Sequence, residues 1–112
     1  MTVEEMMNRL GLQVFAAGEM ERDVTAGYAS DLLSCVMAKA QAGYVWVTLQ
    51  AHPNVIAVAS LLDLAAVIVS EGVKPDLDTI ARAQENEVTL LGSAQTTFTV
   101  VGRLSAAGVT GG

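Results

Sequence analysis

The chain is poor in the residues on which most binding chemistries depend. It has one cysteine, one histidine and only six lysines and arginines against twelve aspartates and glutamates, which gives a net charge of −6. A single cysteine excludes an intrachain disulfide and a multi-thiolate zinc site, and it suits a reducing compartment. Because the few basic residues are scattered, no stripe can neutralise phosphates. Neither nucleic acid nor an anionic membrane surface is an expected partner.

Targeting and membrane-spanning segments are also missing. The amino-terminal MTVEEMMNRL carries acidic residues where a signal peptide carries basic ones. The apolar run from Val55 to Val69 is broken by Ser60 and Asp63 and is too short to span a bilayer. We therefore expect a cytoplasmic protein that does not enter a membrane.

Apolar residues, in contrast, are abundant. They make up 52% of the 112 residues, while charged residues make up 16%. This length fits one domain, predicted to cover residues 1–112. A chain so rich in apolar residues keeps some apolar surface after its core is filled, which favours a homodimer or another partner.

The pattern of the chain predicts alternating strands and helices. Thr2 and Glu5 have the spacing of a capping box at the start of a first helix. Later, three apolar strands at 44–50, 64–70 and 88–92 are each followed by a helical pattern. Such units imply right-handed crossovers. The predicted fold is therefore α/β, with three layers and a mostly parallel sheet.

The amino-terminal half gives weaker signals. We predict a short strand at 23–26 and then a helix capped by Ser30, whose buried stripe comprises Leu32, Leu33, Val36, Met37 and Ala40. The helix over 54–62 is apolar on every face, which predicts that either another helix or a second subunit covers it, and we favour the subunit. The terminal residues 110–112 are predicted to fray.

An ordered set of motifs covers residues 27–109: GYASDLLS, VWVTLQAHPN, AVAS, KPDLDTIARA and TTF. This set resembles the DRTGG domain family, most closely its small free-standing members. In this sequence His52-Pro53-Asn54 stands in the family's Asp-Arg region, and Ser70-Glu71-Gly72 stands in its Thr-Gly-Gly region.

The resemblance implies a domain like the N-terminal domain of HPr kinase/phosphorylase, commonly a homodimer, with a regulatory and non-catalytic role. Free-standing relatives are often encoded beside iron hydrogenase subunits and sensor histidine kinases, which implies a redox or signalling protein as partner. The kinase activity itself is not implied, because no GxxxxGK[ST] phosphate-binding loop is present.

The carboxyl ends of the predicted parallel strands are the expected ligand site, where segments 50–54, 70–74 and 92–97 should meet. Each segment precedes a helix N-terminus, which attracts anions. The polar side chains available to hydrogen-bond a phosphate or carboxylate there are His52, Asn54, Lys74, Ser93, Thr96 and Thr97.

A structural interpretation of the same residues stays open. Asn54 or His52 can cap the helix that begins at Pro53, and Ser93 can cap the last helix. No catalytic residue and no metal ligand is predicted, since nothing in the sequence supplies His52 with an orienting carboxylate or a nucleophile. No cofactor is assigned.

The leading prediction is a non-catalytic regulatory or ligand-sensing domain that binds a small anionic ligand, such as an adenine nucleotide. Two alternatives remain. The first is a purely structural dimeric interaction subunit without a ligand. The second is a small enzyme that uses His52 as acid or base.

Overall fold

Local sequence signals explain where most elements begin and end. In a computed structural model that describes residues 1–112, Thr2 and Glu5 form the predicted capping box, and Gly11 ends the first helix in a left-handed conformation with φ 63°. The helices are α1 Val3–Leu10, α2 Leu33–Lys39, α3 Asn54–Leu62, α4 Leu77–Glu85 and α5 Thr97–Ala106. The strands are β1 Gln13–Ala16, β2 Ala26–Ala29, β3 Tyr44–Thr48, β4 Ala66–Val69 and β5 Leu90–Gly92.

All five strands form one sheet in the order β1-β5-β4-β3-β2. Strands β2 to β5 are parallel to one another, and β1 alone is antiparallel, paired with β5. The predicted fold class, an α/β fold with a mostly parallel sheet, is confirmed.

Helices cover both faces of the sheet. On one face α2, α3 and α4 bury Val36, Ile56 and Ala83 against the strand residues Trp46 and Leu90. On the other face α1 and α5 bury a second set of side chains against the alternate strand positions, including Val3, Met6, Val100, Leu104, Val45, Ile68 and Leu91. Side chains one position apart along a buried strand thus enter different cores, which requires the continuous apolar runs seen in the sequence.

The prediction for the second strand and helix was wrong in position. The strand lies at Ala26–Ala29 and not at 23–26, where Asp23 makes only a single bridge to Thr2. Helix α2 starts at Leu33, and Ser30 does not cap it: the Ser30 hydroxyl accepts a hydrogen bond from the Leu32 amide, ahead of the helix.

The predicted buried stripe of α2 was also only partly right. Val36 and Ala40 are buried, whereas Leu32 is 61% and Met37 49% exposed. Helix α2 packs on β2 and α3, and its outer apolar positions face solvent.

Helix α3 is less enclosed than its composition predicts. It lies between α2 and α4 and buries Val55, Ile56, Val58 and Ala59. Its outer side stays uncovered within the chain, and Leu61 is 70% exposed.

The carboxyl-terminal residues do not fray as predicted. The Thr110 carbonyl accepts a hydrogen bond of 2.7 Å from the Gly27 amide, which ties residue 110 to the edge strand β2. The chain end is held because an edge strand offers unpaired backbone groups.

Candidate functional site

The four parallel strands end at the same edge of the sheet, and each is followed by a connection to a helix. We call this edge the carboxyl edge; it comprises residues 30–32, 49–53, 70–76 and 93–96. Backbone hydrogen bonds of 2.9 Å from Ser70 to Thr48 and from Ser93 to Val69 tie three of the strand ends together. Of the three segments expected to meet there, 70–74 and 92–97 contact each other directly, and 50–54 follows the end of the neighbouring strand β3.

The switch point of the fold lies between β4 and β5. The chain leaves β4 toward the face that carries α4, and it leaves β5 toward the opposite face, which carries α5. In open α/β sheets the crevice at such a point is the usual ligand site. Here the two connections bond to each other, with the Glu71 amide on the Gln95 carbonyl at 2.7 Å and the Gly72 amide on the Ser93 carbonyl at 2.9 Å. The crevice is therefore closed by the chain itself.

Side chains complete this closure. The buried Ser70 hydroxyl lies 2.6 Å from the Thr97 hydroxyl, and the Thr97 amide donates a 2.6 Å hydrogen bond to the Glu71 carboxylate. A carboxylate of the protein thus occupies the positive end of α5, where an anionic ligand was expected. Glu71 reaches this place from a left-handed backbone conformation with φ 64°.

Three of the six predicted ligand residues have structural roles in this region. The Thr96 hydroxyl accepts from the Thr99 amide at 3.2 Å and caps α5, a role that the sequence assigned to Ser93. The Ser93 hydroxyl accepts instead from the Gln95 amide at 3.1 Å, within the turn before the helix. Thr97 is engaged through both its amide and its hydroxyl.

The other three, His52, Asn54 and Lys74, keep polar atoms that no residue of the chain contacts. His52 Nδ1 accepts a 3.1 Å hydrogen bond from the Asn54 amide, so the neutral ring carries its proton on Nε2. The side-chain amide of Asn54 and the Lys74 ammonium group make no hydrogen bond or ion pair, and both side chains are exposed. The Thr79 hydroxyl fixes the loop beneath them by a 2.7 Å hydrogen bond to the Ala51 carbonyl.

Asp31, which was not among the predicted ligand residues, also belongs to this edge. Its Oδ1 accepts from the Thr48 hydroxyl at 2.8 Å and from the Leu49 amide at 2.9 Å, and so closes the end of β3. An acidic residue two positions beyond a parallel strand is the signal that could have located it. That signal was lost because the strand was predicted three residues too early.

The largest cavity, of about 430 Å³, lies elsewhere, between α5, β2 and the chain end. It exists because β2 presents Gly27 and Ala29 to this side of the sheet. None of the lining residues carries a charged side chain: Gly27, Tyr28, Ala29, Val47, Val101, Leu104, Ser105, Gly108, Val109, Thr110 and Gly111. The cavity lacks the cation that a phosphate or carboxylate would need.

The structure contains neither a cluster of metal-ligating side chains nor a helix able to cross a membrane. No group of three or more His, Cys, Asp or Glu side chains lies close enough to hold a metal ion. No helix combines the length and the apolar character that crossing a bilayer requires.

Comparisons with known proteins identify the fold. No family model and no curated protein matches the chain. A solved structure does match, with a TM-score of 0.73 at 14% sequence identity: the CBS and DRTGG domains of the regulatory region of Clostridium perfringens pyrophosphatase, complexed with its activator diadenosine tetraphosphate. The match covers 92% of this chain and 45% of that one, so this chain spans less than half of its length. The chain has a DRTGG-like fold.

Proposed function

We propose that the chain is a non-catalytic regulatory domain related to the DRTGG family, which binds a small anionic ligand through His52, Asn54 and Lys74. The fold that it shares with a pyrophosphatase regulatory region is the observation that carries this proposal. That region binds a nucleotide activator, which makes adenine nucleotides the first ligands to test.

The contacts at the carboxyl edge narrow the manner of binding. The backbone amide of Asn54 donates to His52 Nδ1, and the backbone amides of Val55 and Ile56 donate to the carbonyls of residues 52 and 53. Because the first-turn amides of α3 are engaged, an anion there would be bound by side chains. Lys74 supplies the charge, and His52 Nε2 and the side-chain amide of Asn54 supply directed hydrogen bonds.

Catalysis by His52 has less support. A histidine that acts as general base is held by a carboxylate or positioned against a nucleophile. His52 Nδ1 is instead held by a backbone amide, and no carboxylate bonds to the ring. Its contacts are those of a residue that organises the start of α3.

Ligand binding is tested by thermal shift and calorimetry with AMP, ATP and diadenosine tetraphosphate. A ligand at a hundred times its Kd should stabilise the protein by about 2.7 kcal/mol. We expect Lys74→Ala and His52→Ala to weaken binding at least about tenfold, since each removes a charged or directed contact. Lys39→Ala is the control, because Lys39 is an exposed lysine at the opposite end of the sheet.

The proposal fails if no nucleotide shifts the melting temperature at millimolar concentration. It also fails if Lys39→Ala weakens binding as much as Lys74→Ala does, because the effect would then reflect overall charge and not this site.

A dimeric interaction subunit without a ligand is the second candidate, favoured by the uncovered side of α3. Leu61 is 70% exposed there, next to the exposed residues Ala57 and Ser60. Sedimentation velocity should then show a dimer that Leu61→Asp converts to a monomer. A homodimer, a redox or signalling partner and a cytoplasmic location remain parts of our proposal, based on the family resemblance.

A further inference from the structure

Each of the four connections at the carboxyl edge leads into an exposed large apolar side chain. These are Leu32 after β2, Leu49 after β3, Leu77 after β4 and Phe98 after β5, with exposed fractions of 61%, 42%, 85% and 88%. The chain has eight such residues in all, so half of them lie at or directly beside one edge of the sheet. Val101 lies three residues after Phe98 and therefore on the same side of α5, and it is 39% exposed.

Nothing in the fold requires these four residues to be apolar. Leu77 is the first residue of α4 and Phe98 the second residue of α5, and neither contributes a side-chain cap. Positions in a solvated first turn usually carry polar residues, which complement the helix dipole and the free amides. Leu77 and Phe98 begin helices on opposite faces of the sheet, so they flank the same edge from its two sides. Exposed apolar side chains placed in this way mark a surface that contacts another molecule.

The charges around the patch indicate which molecule. The same connections and first turns carry four carboxylates against one lysine: Asp31, Glu71, Asp76 and Asp78 against Lys74. Asp78 forms an ion pair with Arg82 at 3.5 Å, Asp31 and Glu71 accept hydrogen bonds from the chain, and Arg103 bonds the Gln95 side chain of this edge at 3.0 Å. A second copy of this chain, with the same patch and a net charge of −6, would set carboxylates against carboxylates. Such pairing opposes association, whereas a basic partner is attracted.

We propose that the carboxyl edge docks a basic, amphipathic protein segment, whose apolar side chains cover Leu77 and Phe98 while its lysines and arginines face the surrounding carboxylates. Binding of an amphipathic helix in this manner is a common mode of recognition. The charge pattern adds specificity and speeds association more than it adds affinity.

The docking surface adds a partner to the regulatory function proposed above, and its regulation by a ligand rests on that function. Lys74 is the one lysine within the acidic edge. An anionic ligand bound to Lys74 would neutralise that charge and make the edge more attractive to a basic segment. Ligand and partner would then strengthen each other's binding through reciprocal coupling.

The test uses two synthetic amphipathic helices as probes, one built of Leu and Lys and a matched one built of Leu and Glu. We expect the full-length protein to bind the Leu/Lys probe, more weakly as salt rises, and not the Leu/Glu probe. Leu77→Ser/Phe98→Ser should weaken binding at least about tenfold, as loss of a buried apolar anchor does. Leu61→Ser is the control, because Leu61 is also largely exposed, at 70%, and lies away from this edge.

Lys74→Gln separates this proposal from ligand binding. It should raise the affinity for the Leu/Lys probe about twofold to threefold even without nucleotide, because one repulsive charge is removed. If the protein binds no nucleotide but Lys74→Gln still raises the affinity for the Leu/Lys probe, the ligand proposal is refuted and the docking surface is supported. A protein that binds nucleotide but neither probe refutes the docking surface alone.

Two other results would overturn the proposal. One is equal weakening by Leu61→Ser and by Leu77→Ser/Phe98→Ser, or equal binding of both probes. The other is a dimer in sedimentation velocity that Leu77→Ser/Phe98→Ser alone converts to a monomer, which would assign this edge to a second copy of the chain.

Discussion

The two ends of the parallel strands are built differently. At the carboxyl edge the backbone is closed, yet Leu32 and Leu49 within it, and Leu77 and Phe98 within two residues of it, remain exposed. The opposite end, which we call the amino edge, comprises residues 17–25, 40–43, 63–65 and 86–89; it contains none of the eight exposed large apolar residues, and Leu61 alone lies within two residues of it. One end therefore satisfies its own side chains, whereas the other leaves apolar surface for another molecule.

The closure of the amino edge depends on a charge pair and on close backbone contact. Arg22 donates two hydrogen bonds to the Asp63 carboxylate, at 2.7 and 3.1 Å, and one to the Asp63 carbonyl at 2.9 Å. The Gly18 amide donates to the buried Thr89 hydroxyl at 3.0 Å. Both contacts join segments that are more than forty residues apart in the sequence.

The largest effect is expected from Gly18→Ala, which would break the amino edge. A Cβ at this position would collide with the Glu87 carbonyl oxygen, and backbone cannot move aside as a side chain can. We expect the free energy of unfolding to fall by about 3 kcal/mol, as for other overpacked sites. Urea denaturation measures this loss.

Gly102→Ala is the control for that variant. Gly102 lies within α5, and a Cβ there meets nothing within 4 Å. Because alanine favours a helix, this change should raise the free energy of unfolding by about 1 kcal/mol. If Gly18→Ala lowered the free energy of unfolding no more than an ordinary surface substitution does, the amino edge would be less rigid than its contacts indicate.

A smaller effect is expected at the carboxyl edge from Glu71→Gln. The change removes the charge that binds the Thr97 amide at the start of α5 and should cost about 1 kcal/mol, less in high salt. Glu87→Gln is the matched control, since Glu87 also has a positive φ, of 56°, but makes no side-chain hydrogen bond. Equal losses in the two variants, measured by thermal unfolding, would contradict a specific role for Glu71.

The smallest effect is expected from Asp63→Asn, and it should depend on pH. Hydrogen bonds from Arg22 lower the pKa of Asp63 below its usual 3.8. Because the pKa is lower in the folded protein, this stabilisation is complete above that value and disappears as the pH falls through the folded pKa. At neutral pH we expect a loss below about 1 kcal/mol, since Asp63 is largely exposed.

Asparagine is the right replacement because it also tolerates the left-handed φ of 57° at this helix end. Denaturation of both proteins near neutral pH and near pH 3 should show the difference shrinking in acid. A difference that is the same at both pH values would assign the effect to the helix end and not to the charge pair.

Much of the architecture could be predicted because it depends on local patterns. The capping box of Thr2 and Glu5 needs only their spacing, and the runs at 44–50, 64–70 and 88–92 are apolar because both faces of those strands are covered. Strand β2 escaped prediction because Ala26–Ala29 contains no β-branched residue. It is a strand because it pairs with β3.

The placement of the candidate residues at one edge was predictable, but their contacts were not. Parallel strands bring their ends together, so His52, Lys74 and Ser93 could be assigned to one edge from topology alone. Nothing in the sequence indicated that Glu71 would occupy the start of α5, or that Asp31 would close β3. Both contacts join residues 18 or more positions apart, in loops whose conformation local preference does not determine.

The sequence by itself determined the order of helices and strands, the parallel sheet and the edge at which polar residues gather, because each of these follows from residue periodicity and chain direction. Only the tertiary structure decided which polar atoms are engaged by the chain and which apolar side chains stay exposed. Hydrogen bonding and burial depend on neighbours that are distant in sequence, and the same leucine is core or surface according to what packs upon it.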